Sequence, residues 1–243
     1  MSYIFEGTIA TKAALLNEKR HVEKIVIDRK RKDRDVSFIK HQAEKRGILV
    51  ERMSREEIDE IASKSTHGGV ISYVGERVYD DVTPLLEKEN VFLCILEGIE
   101  DPYNFAYLLR SLYAAGCDGV IVGERNWSSA ADIICKGSAG ASESMNICVT
   151  SSFEETCKLL EEHDIALYSA LRSDEAIPYF KADYTSKICI AIGGEMRGLS
   201  KPVIEHTTQA IYIPYASNFR NSLTAASAGS ILAFEVSKQR YKE

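Results

Sequence analysis

The run Gly193-Gly194-Glu195-Met196-Arg197-Gly198-Leu199-Ser200 carries the densest chemistry in this chain. It follows an apolar stretch, 188–192, that reads as a buried parallel strand, and it ends at Ser200, a suitable N-cap for a short helix. A glycine turn at the carboxyl end of a strand is where α/β sheets place their ligands. The spacing approaches a dinucleotide fingerprint, but Glu195 stands where that fingerprint needs its second glycine. That glycine lets the backbone approach a pyrophosphate, and a carboxylate there repels phosphate. The loop therefore suits a cationic ligand, or one rich in amine and hydroxyl groups. A nicotinamide-dependent oxidoreductase is excluded on the same ground.

The elements that position this loop follow from periodicity. Residues 1–76 alternate strands and helices: helix at 11–17, strand at 24–28, helix at 36–46, strand at 48–51, helix at 54–63 and strand at 70–74. The helix at 54–63 opens on a capping box, Ser54 with Glu57. A polar stretch, 77–90, reads as a linker. From residue 91 the rhythm implies a mostly parallel sheet. Strands are expected at 91–96, 119–122, 146–149, 165–169, 187–192 and 209–213, the first uniformly apolar, as a strand covered on both faces should be. Asp101-Pro102 caps a helix that runs to about Ala115 and is stopped by Gly116. Further helices are expected at 130–136, at 152–162 with a capping box of Ser152 and Glu155, and at 222–238. The fold class is α/β: an open parallel sheet in residues 91–243, preceded by a small α/β domain in 1–76.

Composition sets bounds. A chain of 243 residues, 45% hydrophobic, can bury one large core or two smaller ones. No apolar run approaches bilayer length, and the N-terminus lacks the pattern of a secretory signal. Six cysteines without a CxxC pair, and histidines without zinc spacing, read as buried free thiols in a cytoplasmic, metal-free protein with no membrane partner. The net charge of −6 is unevenly spread. Residues 1–76 hold 15 Lys+Arg against 13 Asp+Glu, and the remainder holds 15 against 23. Within the first part, Arg29, Lys30, Arg31, Lys32 and Arg34 form a run that reads either as a solvated face or as a contact surface for a nucleic-acid phosphate backbone.

Three ordered segments carry a resemblance. Asp101-Pro102-Tyr103-Asn104 through Arg110 resembles the first signature of the SpoU/TrmH family of RNA ribose 2′-O-methyltransferases, with its Asn and Arg six residues apart. Residues 193–199 resemble the second, a G-x-E-x-x-G-L loop. Ile213-Pro214 followed by Ser222-Leu223-Thr224 resembles the third. Residues 136–141 match another recurrent family segment. Residues 1–76, with Gly7 and His67-Gly68-Gly69-Val70, resemble the substrate-binding domain that precedes the catalytic domain in many members.

The resemblance implies a deep trefoil knot of the SPOUT type in the C-terminal domain, S-adenosylmethionine as cofactor and a homodimer. It implies Gly193, Gly194, Gly198, Ile213 and Leu223 as cofactor contacts, and Asn104, Arg110, Glu195, Ser222 and Thr224 as catalytic residues. Ribosomal RNA is the expected partner, because a separate N-terminal domain is typical of members that engage a large structured RNA. A transfer-RNA enzyme and a non-catalytic knotted RNA-binding protein are the alternatives.

Arg110 stands at the position of the family's essential arginine. A guanidinium keeps its proton, with a pKa above about 12, so its expected role is to clamp a phosphate and polarise the 2′-hydroxyl. Asn104 and Ser222 each have a second reading as helix caps. Glu195 is expected to orient Asn104 or Arg110. Tyr215, Asn218, Phe219 and Arg220 lie in a loop where an aromatic and a cation can contact a base. Two residues depart from the family pattern: Thr224 replaces the usual Asn, and Ala106 replaces a Gly.

Overall fold

The computed structural model describes residues 2–63 and 65–241. In chain order its principal elements are β1 (Tyr3–Glu6), α1 (Thr8–Asn17), β2 (Arg20–Asp28), α2 (Arg34–Lys45), β3 (Leu49–Met53), α3 (Arg55–Ile61) and β4 (Val70–Arg77). Then come α4 (Thr83–Leu86), β5 (Phe92–Glu97), α5 (Pro102–Ala114), β6 (Gly119–Gly123), α6 (Ala131–Gly137), α7 (Ala141–Ser144) and β7 (Ile147–Thr150). The chain closes with α8 (Phe153–Glu162), β8 (Ala166–Ala170), β9 (Ile177–Pro178), β10 (Ile188–Gly193), α9 (Lys201–Glu205), β11 (Gln209–Tyr212) and α10 (Ala225–Arg240). By packing, these form two compact units, Met1–Val78 with Asn126–Ser144, and Tyr79–Arg125 with Met145–Glu243.

The N-terminal unit has a four-stranded sheet in the order β1-β4-β2-β3. Successive side chains of β2 point to opposite faces, and both faces are covered at its centre. Ile25 and Ile27 point into a core with Phe5, Leu15 and Ile39, while Val26 joins Ile58 of α3 on the opposite face. Ala131 and Cys135 of α6 belong to the first of these cores. The segment 126–144 therefore supplies apolar surface to a unit from which it is remote in sequence.

It also supplies charge. Glu143, fully buried, takes Arg20 Nε at 3.1 Å and lies 3.6 Å from Arg77 Nη1. Arg20 and Arg77 also donate to the carbonyls of Gly75 (3.1 Å) and Ser142 (2.7 Å). Lys136 reaches the buried Glu6 at 3.1 Å, and Asp132 accepts from the Glu6 amide at 2.8 Å.

The C-terminal unit has a seven-stranded sheet, β7-β6-β5-β10-β8-β11-β9, every neighbouring pair parallel. Its central strands are buried on both faces, which explains their unbroken apolar reading. Burial pushes the Cys157 thiol up to about 11 and the Cys117 thiol up to about 12. All six cysteines are buried, and none is paired in a disulfide.

Several expectations shift in detail. The capping box at α3 forms, with Ser54 and Glu57 side chains each taking the other's amide. At α8 only half of the box forms: Ser152 accepts from the Glu155 amide, but its own amide donates to Thr150 Oγ1 at 3.1 Å. The stretch 77–90 contains α4, whose Leu85 and Leu86 are core residues. The last helix begins at Ala225, three residues later than expected, because Thr224 caps it and not Ser222. Asp101 caps α5 as expected, accepting from the Asn104 amide at 2.7 Å, so the second reading of Asn104 as a cap does not hold.

Candidate active site

Strand order reverses beside β5: the chain runs outward through β6 and β7, then returns on the other side through β8 and β10. Ligands in open α/β sheets bind at such a reversal, outside the carboxyl ends of the strands. The carboxyl ends of β8, β10 and β11 open here on a cavity of ≈ 360 Å³, within the size range of small-molecule sites. Ala170 to Arg172, Ile192 to Glu195 and Ile211 to Ile213 form its walls from the strand ends, with Gly198 and Leu199 from the glycine loop. Ser222, Leu223, Ala225 and Ala228 close it from α10 and the turn before it.

The glycine loop is shaped by close backbone approach. Gly193 pairs with Glu97 of β5, and the Gly194 amide donates to the Glu97 carbonyl at 2.7 Å. A Cβ on Gly194 would lie 2.0 Å from the Gly98 carbonyl oxygen, and one on Gly193 would lie 2.4 Å from the Gly198 carbonyl carbon. No side chain fits at either position. Gly198, at φ +66°, turns the chain back so that its amide donates to the Gly194 carbonyl at 2.9 Å. Glu97 then fastens the far end of the loop, accepting from the Ser200 amide at 2.8 Å. Ser200 is the N-cap of α9 by position, but its hydroxyl makes no capping bond.

This loop delivers Glu195 to α5. Asn104 Nδ2 donates to Glu195 Oε1 at 3.3 Å, joining residues 91 apart in sequence. Arg110 lies on the same helix, exposed, with no ion pair or side-chain hydrogen bond among the described residues. The Ser111 and Ser230 hydroxyls, 2.7 Å apart, tie α5 to α10. The free guanidinium of Arg110 is thus carried on a helix fixed at both its start and its middle.

The structure brings most of the sequence-designated residues together. Gly193, Gly194, Gly198, Ile213 and Leu223 all line the one cavity, as do Glu195 and Ser222. Thr224 has a different place: its hydroxyl accepts from the Ser227 amide at 3.2 Å and caps α10. Asn and Thr both serve as N-caps, which gives the departure at this position a structural account.

The basic run divides. Arg31 is consumed by structure, pairing with Asp33 at 2.7 Å and donating to the Gly68 carbonyl at 2.9 Å. Arg29 reaches the Arg52 carbonyl and Glu57. Lys30, Lys32 and Arg34 are exposed, and their side chains have no partner among the described residues.

Sequence reasoning missed Glu97 and Arg172. Glu97 ends a strand and shows no spacing signal, since its role depends on the Ser200 amide about a hundred residues on. Arg172 lies in a loop after β8, where only the fold places it beside Tyr215.

An all-parallel sheet with a glycine loop, a carboxylate bonded to an asparagine and a ligand-sized cavity at its carboxyl edge defines an open α/β ligand-binding protein. The chain belongs to the SpoU rRNA methylase family, whose model matches residues 91–234. Residues 4–79 match a second model, RNA 2′-O ribose methyltransferase substrate binding.

Among curated relatives, the 23S rRNA (guanosine-2′-O-)-methyltransferase RlmB of Yersinia pestis is 30% identical, over 99% of this chain and 98% of that protein. Its namesake in Escherichia coli K12 is 27% identical over 99% and 100%. Among solved structures, an rRNA methyltransferase from Sinorhizobium meliloti matches with TM-score 0.82 at 20% identity, covering 99% of this chain and 88% of that one. The SpoU methyltransferase AviRb from Streptomyces viridochromogenes matches with TM-score 0.80 at 20% identity, covering 98% and 90%.

Proposed function

We propose that this chain is an S-adenosylmethionine-dependent methyltransferase acting on a ribose 2′-hydroxyl of ribosomal RNA, and that its target is a guanosine of 23S rRNA. One observation carries the reading: the second and third family motifs line a single cavity, and Glu195 on its wall is hydrogen-bonded to Asn104 of the first. Relatives aligned over their full length are named for guanosine 2′-O-methylation of 23S rRNA.

The residues present fit the cofactor. Ile192, Leu199, Ile211 and Leu223 offer apolar walls to an adenine, and the glycine backbone leaves the space that side chains would fill. Glu195 favours a cation and disfavours phosphate. When bound, S-adenosylmethionine supplies an electrophilic methyl group on a sulfonium. Transfer requires the 2′-oxygen in line with that carbon, so the site must hold both partners closely. Asn104 and Glu195 hold the loop against α5. Arg110 binds the phosphate next to the target and stabilises developing negative charge on the 2′-oxygen. It does so as a cation throughout.

The reading extends to assembly and place. The C-terminal chain threads as a trefoil knot through the loops around the cavity. Tyr103, Tyr107 and Arg110 share one face of α5, and the exposed Tyr113 and Phe234 add aromatic surface for a homodimer. Lys30, Lys32 and Arg34 meet RNA phosphates. No helix among the described residues is long and apolar enough to cross a membrane, and a ribosomal substrate places the enzyme in the cytoplasm. The alternative of a non-catalytic binder rested on Thr224, whose capping bond accounts for it.

The test is methyl transfer from radiolabelled S-adenosylmethionine to total RNA from a strain lacking this protein. Arg110→Ala is expected to lower transfer at least about 100-fold, the scale of one lost charge-stabilising donor, with S-adenosylhomocysteine affinity retained. Equal loss of both would remove Arg110 from the assigned role. No label in any RNA, despite S-adenosylhomocysteine binding, would overturn the enzymatic reading.

A further inference from the structure

A second cavity, of ≈ 610 Å³, adjoins the first and shares Arg172, Tyr212, Ile213 and Tyr215 with it. Tyr215 is fixed from two sides. Its hydroxyl accepts from the Leu223 amide at 3.0 Å, and the Arg172 guanidinium lies 4.6 Å from its ring centroid. Phe219 continues the aromatic surface, its ring 6.0 Å from that of Tyr215, and is 52% exposed. Two opposite charges stand on the same wall: Arg172 and Asp174, both exposed, and neither has a hydrogen bond or ion pair among the described residues.

One wall of this cavity thus presents an exposed aromatic ring, a cation stacked on Tyr215 but without an ion pair among the described residues, and a carboxylate, all turned to one space. It matches what a splayed RNA base requires: a π-face to stack on and polar groups for its edge. Of the four bases, guanine has the Watson–Crick edge that uses both charges. Its N1–H and N2–H donate to a carboxylate, and its O6 accepts from a guanidinium. A lone carboxylate would repel the RNA backbone, so its presence favours a base edge over a phosphate.

We propose that this cavity is a subsite for a guanine base of the substrate RNA, stacked on Phe219 and read by Asp174 and Arg172. The inference rests on the function proposed above. Because Tyr215 is bonded to the Leu223 amide in the wall of the methyl-donor cavity, a base seated here is registered directly against the donor site.

Phe219 and Asp174 line only the second cavity, which makes them clean probes. Equilibrium binding of transcribed 23S ribosomal RNA, at one fixed salt concentration, is compared for the wild type, Phe219→Ala, Phe219→Trp and Asp174→Asn. S-adenosylhomocysteine affinity is measured calorimetrically on the same proteins. Phe219→Ala is expected to weaken RNA binding roughly 5- to 150-fold, the range for one lost base stack, and Phe219→Trp to restore it. Asp174→Asn should weaken it about 5-fold or more. S-adenosylhomocysteine affinity should stay within about twofold of wild type in all of them.

Unchanged RNA affinity in Phe219→Ala overturns the subsite. Parallel loss of S-adenosylhomocysteine affinity assigns the cavity to the donor instead. A loss confined to Phe219→Ala overturns the choice of guanine. Methyl transfer measured alongside separates the two claims: a wild type that binds RNA through Phe219 but transfers nothing refutes the enzyme and leaves the subsite standing.

Discussion

The N-terminal unit places charge inside its core, whereas the C-terminal unit keeps charge at its edge and builds its site from backbone. Glu6, Arg20, Asp28 and Glu143 are buried in the first; among the described charged residues of the second, only Glu235 is. The contrast follows from how each unit is assembled. The C-terminal sheet joins apolar strands whose faces are covered on both sides, and apolar burial alone aligns them. The N-terminal unit must select segment 126–144 from a distant part of the chain. Glu143 between Arg20 and Arg77, and Lys136 on Glu6, make that choice specific, because any other partner leaves buried charges unpaired.

The most severe way to break this comparison is Glu143→Ala. It removes the carboxylate that faces both the Arg20 and Arg77 guanidiniums, leaving their charge uncompensated by Glu143, and should lower stability by about 3–5 kcal/mol, read by urea denaturation. A loss under about 1 kcal/mol would show that apolar contacts of Ala131 and Cys135 dock the segment unaided. Gly194→Ala attacks the other unit. Its Cβ would meet the Gly98 oxygen, so the loop must move, at about 1–3 kcal/mol for such overpacking. The sharper readout is the ligand. Thermal stabilisation by S-adenosylhomocysteine, about 2.7 kcal/mol at a hundredfold excess over Kd for an intact site, should vanish. A retained shift would mean the glycine loop does not shape the cavity.

What was legible in the sequence divides along the same line. The parallel strands of the C-terminal unit read directly from apolar runs, and three motifs marked the loops that meet at the cavity. The small α/β unit was legible as a rhythm of elements, but β1 was not, since four residues at a terminus carry little periodicity. The attachment of 126–144 was invisible: Glu143 and Lys136 look like ordinary helix-surface charges until the fold buries their partners. Helix starts were misplaced where two capping residues stood close together, as Ser222 and Thr224 do. The asymmetry is physical. Apolar patterning and local capping are written in neighbouring residues, while ion pairs across a hundred residues are not.

Thr224 tests whether a site position can be explained by local structure alone. Thr224→Ala should cost about 1 kcal/mol through the lost cap, whereas Thr224→Asn keeps a capping side chain and should be nearly neutral in stability. Transfer activity in Thr224→Asn should be preserved or raised. A fall with stability intact would show a pocket built around threonine.

The smallest effect concerns pH, and one group from each unit, Glu6 and His206, should act with opposite sign. Burial raises the Glu6 pKa, but hydrogen bonds from Ser63 and the Lys136 ammonium outweigh it and hold the carboxyl below its ordinary value of 4.5. Its stabilisation is therefore present above that value and is lost as pH falls through the folded pKa. His206 is raised above 6.5, chiefly by its bond to Glu161 and further by Glu154. Its contribution is complete below 6.5 and is lost as pH rises through the folded value. Glu6→Gln should remove part of the acid limb of the stability profile and leave the neutral limb alone, whereas His206→Gln should flatten the neutral limb. Denaturation midpoints from about pH 3 to 8 measure both. If Glu6→Gln left the acid limb unchanged, the buried charges of the N-terminal unit would not be linked to folding as the geometry requires.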